Sequence, residues 1–241
     1  MLSPDSTLLV PEQPALPTEF ELKFVVPEGI APAVAGWLSS VCQPHPQFPD
    51  AIITSVYYDD PEWSLLGEKL NSDFIKRKLR LRWYRTPGVP LSDSPAFIEG
   101  KFKAGARREK VRVRLDTPAE EFEHTPLDTD LFHRPLELLQ AQGVAGVTRM
   151  QAAFQISYRR LRYIHPFSFS TFCLDFHITA PRVHRLRFRG GTPEPLAWAV
   201  FEQKGHLERL DPLLEGLRRY RLRKTSFSKY LTCYRHLTED L

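Results

Sequence analysis

Residues 75–85 of the chain read IKRKLRLRWYR and predict a β-strand with two very different faces. Successive side chains of a strand point to opposite sides, so a period of two separates the cations from the apolar residues. The cationic face carries Lys76, Lys78, Arg80 and Arg82, and the apolar face carries Leu79, Leu81 and Trp83. Taken alone, such a row of cations also fits the solvated face of an ordinary sheet.

The same alternation returns along the chain, with carboxylates among the cations. Strands are predicted at residues 19–26, 51–59, 75–85, 96–103, 108–115, 154–164, 168–178 and 197–204, with 182–189 as a further basic candidate, which gives about eight strands. The charged residues opposite apolar partners are Glu19, Glu21, Lys23, Arg80, Arg82, Glu99, Lys101, Lys110, Arg112, Arg160, Glu202 and Lys204. Because the pattern recurs, these faces are expected to share one surface.

Apolar residues at helical spacing predict four or five helices. They lie at residues 28–42, after Asp60-Pro61, at 128–142, 207–223 and 227–237, the last after a Thr225-Ser226 capping signal. Such helices need an apolar surface to cover, which is available if the apolar strand faces point outward. The sequence therefore predicts an α+β fold: a closed antiparallel β-barrel with a polar, charge-lined tunnel and helices packed on the outside.

The overall charge argues against a nucleic-acid partner. Among 241 residues, 33 lysines and arginines stand against 29 carboxylates, a net charge of only +4. Any anion site must then come from local clustering of cations.

The ends and the cysteines bear on domain organisation and location. Residues 1–17 contain four prolines among polar residues and are predicted to be a disordered lead before a single domain at 18–241. The three cysteines are far apart, and no segment has the long apolar run of a membrane span. A cytoplasmic protein is expected.

Crowded cations interspersed with carboxylates predict a phosphate ligand. A buried charge loses several kcal/mol of solvation unless it is compensated, and a polyanion would compensate a lining of lysines and arginines. Carboxylates could hold a divalent metal ion through oxygen ligands. Linked phosphates satisfy both requirements.

Six short motifs in this order resemble the VTC domain, the polyphosphate polymerase branch of the CYTH-like triphosphate tunnel metalloenzymes. They are TEFELK (18–23), SVYYDD (55–60), KLRLRWYR (78–85), FIEGK (97–101), FEQK (201–204) and TSFSKY (225–230). The resemblance spans roughly residues 18–237. It implies a metal-dependent phosphotransferase that passes the terminal phosphoryl group of ATP to inorganic polyphosphate, with Mn²⁺ or Mg²⁺ as cofactor and a separate membrane partner for export.

The resemblance also implies roles for individual residues. The phosphate-contacting catalytic cations would be Lys23, Arg80, Arg82, Lys101, Arg160 and Lys229. Further substrate contacts would come from Lys110 or Arg112, Tyr158, Ser228 and Lys204. Glu202 matches the metal-binding glutamate, and Glu19 and Glu21 match the ExExK pattern of the wider superfamily.

One position departs from the family pattern. Members usually carry an arginine four residues before the aspartate that corresponds to Asp175, whereas this chain has Thr171. A missing cation would weaken polymerase activity or alter the product, unless cations at 182–189 compensate for it.

Two other functions fit the same residues. Water as acceptor would make the protein an inorganic triphosphatase or polyphosphatase, and loss of catalysis would leave a module that only binds polyphosphate. The sequence has no GxxxxGK[ST] loop, GxGxxG motif or HExxH motif, so other common phosphate and metal chemistries have no support.

Overall fold

The computed structural model describes residues 20–168 and 170–238, and these residues form one large antiparallel sheet with helices around it. The strands are β1 (Phe20–Pro27), β2 (Gln43–Pro44), β3 (Asp50–Asp59), β4 (Ile75–Arg85), β5 (Pro95–Ala104), β6 (Arg107–Pro118), β7 (Gln151–Ile164), β8 (Thr171–Thr179), β9 (Trp198–Gly205) and β10 (Arg223–Lys224). The predicted α+β class and the antiparallel pairing are confirmed.

The α-helices are α1 (Ala31–Val41), α2 (Ser64–Leu70), α3 (Ala119–His124), α4 (Arg134–Ala141) and α5 (Lys229–Thr238). Short 3₁₀ helices cover Glu28–Ile30, Leu91–Asp93, Asp130–Phe132 and Pro212–Tyr220. No helix within the described ranges is long and apolar enough to cross a membrane.

The prediction of a closed barrel is wrong. The strand order is β10-β1-β9-β8-β7-β3-β4-β5-β6, with β2 beside β7, and in the described chain no hydrogen-bonded pairing joins β6 to β10 or β1. Side-chain alternation shows which residues share a face, but closure also requires a matching tilt and stagger of the strands, which alternation does not encode.

Several predicted elements also need correction. Residues 182–189 form turns with an isolated bridge at Val183 instead of a strand. The segment predicted as a helix at 207–223 contains a 3₁₀ helix instead of an α-helix, and α3 lies at residues for which no helix was predicted. Helix α5 begins at Lys229, where the Ser228 hydroxyl accepts the N–H of Leu231, so the predicted Thr225-Ser226 cap is displaced. The predicted lead at 1–17 lies outside the described residues.

Two apolar clusters confirm that helices cover the outer face of the sheet. The first joins the apolar face of β4 to α3 and α4, through Leu79, Leu81, Trp83, Phe122, Leu136 and Leu139. The second joins β1 to α1 and the 3₁₀ helix at Pro212–Tyr220, through Leu22, Phe24, Val26, Val34, Leu38, Leu214 and Leu217. Burial of both clusters leaves the charged strand faces on the inner, concave side.

A third cluster fills one end of the inner side with apolar residues. Tyr57, Phe154, Ile156 and Tyr158 pack there against Tyr230 and Cys233 of α5. Ile178 joins this cluster although Phe172, Leu174 and Phe176 of the same strand face outward. The change of face occurs at His177, whose φ of 51° coincides with an extra residue in β8 opposite β7, a bulge that reverses the alternation.

Asp59 ties α5 to the start of α2. Its carboxylate accepts the backbone N–H groups of Leu65 at 2.9 Å and Leu66 at 3.0 Å. The hydroxyl of Tyr230 donates to the same carboxylate at 2.6 Å. Because all of these groups are buried, Asp59 satisfies the free N–H groups of the first helical turn and anchors α5 with one side chain.

We expect Tyr230→Phe to lower the free energy of unfolding by about 1–3 kcal/mol, because Asp59 loses a buried hydrogen bond. Urea unfolding monitored by circular dichroism measures this change. The matched control is Tyr234→Phe on the same helix, at a half-buried position that packs on Trp63. Equal stability losses in the two variants would contradict the anchoring role of the Tyr230 hydroxyl.

Candidate functional site

A cavity of about 710 Å³ lies on the inner side of the sheet and is lined mainly by charged residues. Sixteen lysines and arginines line it together with four glutamates, an excess of twelve positive charges. The whole chain has a net charge of only +4. The fold therefore gathers many of the chain's cations on one concave surface. The net charge of the whole chain gives no sign of this local excess.

The first ionic cluster surrounds Glu202 on β9. Lys23, directly opposite on β1, approaches its carboxylate at 3.4 Å. Arg160 of β7 lies 3.5 Å from the other oxygen, and Lys229, at the start of α5, lies 3.6 Å away. Four elements that are distant in sequence thus meet at one carboxylate.

Asp175 of β8, directly opposite Arg160, also belongs to this cluster. It is fully buried and accepts both Nε and Nη2 of Arg160, at 2.5 and 2.6 Å, while its second oxygen lies 2.5 Å from the ammonium of Lys229. Burial would raise the pKa of Glu202, but Lys229, Arg160 and Lys23 together hold it well below its usual range. Burial would lower the pKa of Lys229, but Asp175 and Glu202 keep it raised. The cluster is therefore fully ionised at neutral pH.

The second ionic cluster follows one row of directly opposed residues across β4, β5 and β6. Arg80 donates through Nε to Glu99 at 2.7 Å, and Arg112 lies 3.4 Å from the other carboxylate oxygen. These three residues are cross-strand neighbours in register. Burial opposes ionisation of Glu99, but Arg80 and Arg82 lower its pKa to about 2. We term this set the Glu99 row.

The next inward-facing row along the same strands contains only lysines. Lys78, Lys101 and Lys110 are directly opposed in register, and we term them the lysine row. Lys110 approaches Glu99 at 3.9 Å, whereas Lys78 and Lys101 contact no carboxylate in the described part of the chain. Burial, together with the nearby guanidinium of Arg80, lowers the pKa of both Lys78 and Lys101 to about 8. Like charges placed opposite each other destabilise a sheet. Binding of an external anion would neutralise the lysine row and relieve this repulsion.

A third row lies at the rim of the cavity, where Lys76, Lys103 and Arg108 are opposed in register. Deeper inside, Arg82 donates to the hydroxyls of Ser55 at 2.9 Å and Tyr158 at 3.5 Å and likewise has no contacting carboxylate among the described residues. The cavity therefore presents cations from its rim to its floor.

Comparison with known families identifies the chain. The sequence model of the VTC domain matches residues 18–238. The chain belongs to the VTC domain family. The resemblance predicted from the six sequence motifs is thus confirmed.

Solved structures are similar to this chain at low sequence identity, and 39 chains match. A protein from Bacillus halodurans, provisionally assigned as an adenylate cyclase, is 14% identical over 87% of the VTC domain chain and 93% of its own, with a TM-score of 0.51. A second such protein, from Vibrio parahaemolyticus, is 14% identical over 89% and 97%, with a TM-score of 0.45. A conserved hypothetical protein from Pyrococcus furiosus is 11% identical over 90% and 99%, with a TM-score of 0.43. No curated protein sequence matches.

The VTC domain brings the predicted site residues together on the cavity wall, with one outside the described residues. Those that line the cavity are Glu21, Lys23, Arg80, Arg82, Lys101, Lys110, Arg112, Tyr158, Arg160, Glu202, Lys204, Ser228 and Lys229. Lys110 and Arg112, between which the spacing left the choice open, both line it. Glu19 lies outside the described residues, so its predicted metal role stays a prediction.

Some residues in or beside the cavity were not assigned a role from the sequence. Lys78 has a clear sequence signal, because it shares the period of two with Arg80 and Arg82. Asp175 and Glu99 were visible only as strand carboxylates, and their importance as counterions depends on the cross-strand register. Lys69 enters from α2, a helix whose approach to the cavity no local pattern encodes.

The cations at 182–189 do not compensate for Thr171. Arg182 donates to the backbone carbonyls of Phe122, Glu123 and Thr125, so it holds α3. Arg187 donates to the carbonyls of Asp59 and Asp60. Among the described residues, none from 182–189 lines the cavity. Near Thr171, the cavity wall contains Arg162 of β7, which lies opposite Cys173.

The cavity offers two neighbouring carboxylates as possible metal ligands, which is fewer than a metal site made only of protein side chains would need. Glu21 and Glu202 both contact the ammonium of Lys23, at 3.0 and 3.4 Å, so two carboxylates converge on one cation. Within the described ranges no group of three or more histidine, cysteine, aspartate or glutamate side chains could hold a metal ion. This donor set fits a hard dication that is bound by one or two carboxylates and completed by substrate phosphates and water.

We expect the pKa of the Lys78 ammonium in the ligand-free VTC domain to be about 8, below that of an ordinary lysine. A pKa of about 8 still lies above pH 7, so Lys78 is mostly cationic at pH 7. It loses its charge as the pH rises through 8, where an ordinary lysine would keep it. NMR of lysine ε-carbons measures the titration, and Lys78→Arg assigns the signal. In denaturant the same group should titrate at its ordinary value, and a transition near that value in the folded protein would contradict the burial of Lys78.

Proposed function

We propose that this VTC domain is a metal-dependent phosphotransferase that moves the terminal phosphoryl group of ATP to a growing inorganic polyphosphate chain. The observation that carries the proposal is the lysine row, where Lys78 and Lys101 face each other without a carboxylate in contact. Linked phosphates supply several negative charges along a line, which matches opposed cations in successive rows. Membership of the VTC domain family supports the same substrate class.

The chain's own residues can position and neutralise the reactants. Phosphoryl transfer requires in-line alignment and neutralisation of the phosphoryl oxygens more than it requires a protein nucleophile. In the proposed step a terminal oxygen of the polyphosphate acceptor forms a bond to the γ-phosphorus of ATP, and the bond to the ADP oxygen breaks. Arg82 and Lys101 would contact the phosphoryl oxygens, and Tyr158 would support Arg82 through its hydroxyl.

The buried ion pairs keep these cations in place before substrate arrives. Arg80 is held by Glu99, and Arg160 by Asp175. Fixed side chains lose less conformational freedom on binding, which favours preorganised neutralisation of phosphate. Glu202, with Glu21 beside it, would hold Mn²⁺ or Mg²⁺, which when bound would act as a Lewis acid toward phosphoryl oxygens.

A specific observation favours a second function, a module that binds polyphosphate without turning it over. Glu202 already contacts Lys23, Arg160 and Lys229, so a metal ion would compete with three cations for this carboxylate. The threonine at 171 removes one further cation relative to the family pattern. In either case the substrate class is the same, and a separate membrane partner for export remains a proposal.

We expect Lys101→Met to lower affinity for tripolyphosphate at least about tenfold, because a charge-assisted contact is lost. The same change should leave stability equal or raise it by up to about 1 kcal/mol, because it relieves repulsion within the lysine row. Calorimetric binding and urea unfolding measure the two effects. Arg114→Met, at an exposed position of β6, is the matched control, and a variant that loses stability and affinity together would argue against an anion-binding role for the row.

Incubation with ATP and Mn²⁺ or Mg²⁺, with ADP, free phosphate and polymer measured separately, tests the reaction. ADP with polymer is the expected result, ADP with free phosphate would indicate a hydrolase, and tight polyphosphate binding without turnover would indicate the binding module.

We expect Glu202→Gln to reduce turnover at least tenfold, about 1.4 kcal/mol of transition-state stabilisation. Its affinity for tripolyphosphate without divalent ions should hold or rise, because one negative charge leaves the cavity. Glu109→Gln, at an exposed glutamate of the cavity wall, is the control for charge alone. Full turnover by the Glu202 variant would exclude a metal-binding role for this residue.

A further inference from the structure

A second depression, of about 440 Å³, adjoins the main cavity. The two share four lining residues, Glu21, Lys23, Lys69 and Phe227. Beyond them it is lined by Leu22 and by the segment 224–226, which does not reach the main cavity. We term this depression the lateral groove, and it continues the cavity sideways toward the surface.

The lateral groove lies between the edge of β1, where the pairing with β10 is short, and the last turn of α2. β10 pairs with β1 only at Phe24 and Val25, and the N–H of Thr225 then donates to the carbonyl of Lys23 at 3.0 Å. These contacts hold the connection between β10 and α5 along the open edge of β1. Lys69, in the last turn of α2, lines the opposite side of the opening.

The charge of the lateral groove matches that of the main cavity. Lys23, Lys69 and Lys224 line it with a single carboxylate, Glu21, which contacts Lys23 at 3.0 Å. Neither Lys69 nor Lys224 contacts a carboxylate within the described ranges, and burial together with Lys76 and Lys23 lowers the pKa of Lys69. Thr225 and Ser226 add exposed hydroxyls, which are common donors to phosphate oxygens. Cations without counterions, beside hydroxyls and in line with an anion site, make a surface for further phosphate units.

We propose that the lateral groove is a second anion subsite, which holds phosphate units of a linear polyphosphate that extends beyond the main cavity. The inference rests on the proposed substrate class, but not on whether the protein transfers or merely binds phosphate. The continuous lining from Lys101 through Lys23 to Lys224 gives such a chain cationic contacts from the cavity to the surface. Tripolyphosphate, which is short, would be held by the main cavity alone.

The test compares long-chain inorganic polyphosphate with tripolyphosphate, at fixed ionic strength and without divalent ions. Lys224→Glu reverses an exposed charge that lines only the lateral groove. Its affinity for the long chain should fall roughly two- to fivefold, as for solvent-exposed ion pairs, with tripolyphosphate affinity unchanged. Arg189→Glu, an equal charge reversal at an exposed position outside both depressions, should change neither.

The outcomes separate this inference from the proposed function. Equal long-chain affinity in the wild type and Lys224→Glu, or equal losses in Lys224→Glu and Arg189→Glu, would overturn the lateral subsite and leave the main site standing. Failure of the wild type to bind tripolyphosphate would overturn the proposed substrate class, and the lateral subsite with it. Thermal unfolding of each variant checks that the fold is intact, and Lys224→Arg should retain the long-chain affinity if the charge is what matters.

Discussion

Repulsion among cations on the inner face of the sheet is the constraint on which the rest of this structure depends. Buried positive charges are costly unless carboxylates neutralise them. Glu202, Asp175 and Glu99 neutralise part of this set, with ionic contacts to Lys23, Arg160, Lys229, Arg80 and Arg112. What these carboxylates leave uncompensated, above all Lys78 and Lys101, is where a polyanion would bind.

Cross-strand register decides which cations are neutralised. Lys23 lies opposite Glu202, Arg80 opposite Glu99, and Arg160 opposite Asp175. Two residues further along the strands, the same register places Lys78 opposite Lys101. Directly opposed side chains interact most strongly in a sheet, so one pairing pattern creates both the rigid ion pairs and the unneutralised row.

Helix α5 couples the stability of the fold to the site. Tyr230 is anchored on Asp59 within the third apolar cluster, and the preceding residue, Lys229, reaches Asp175 and Glu202. Because adjacent residues serve the two purposes, a shift of α5 would move a cation in the cavity. The short pairing of β1 with β10 has a different consequence, since the connection that follows β10 runs along β1 and borders the lateral groove.

The sequence by itself determined which side chains share a face. The alternation in residues 75–85 predicted β4, its cationic inner face and its apolar outer face, and the recurrence of the pattern predicted that polar faces would meet while helices covered the apolar ones. Only the tertiary structure decided that the sheet stays open, that His177 turns Ile178 inward, and that Lys78 and Lys101 lack the counterion that Arg80 has. Alternation is a local property of one strand, whereas closure, bulges and counterions depend on register and curvature between strands, which are set by packing across the whole sheet.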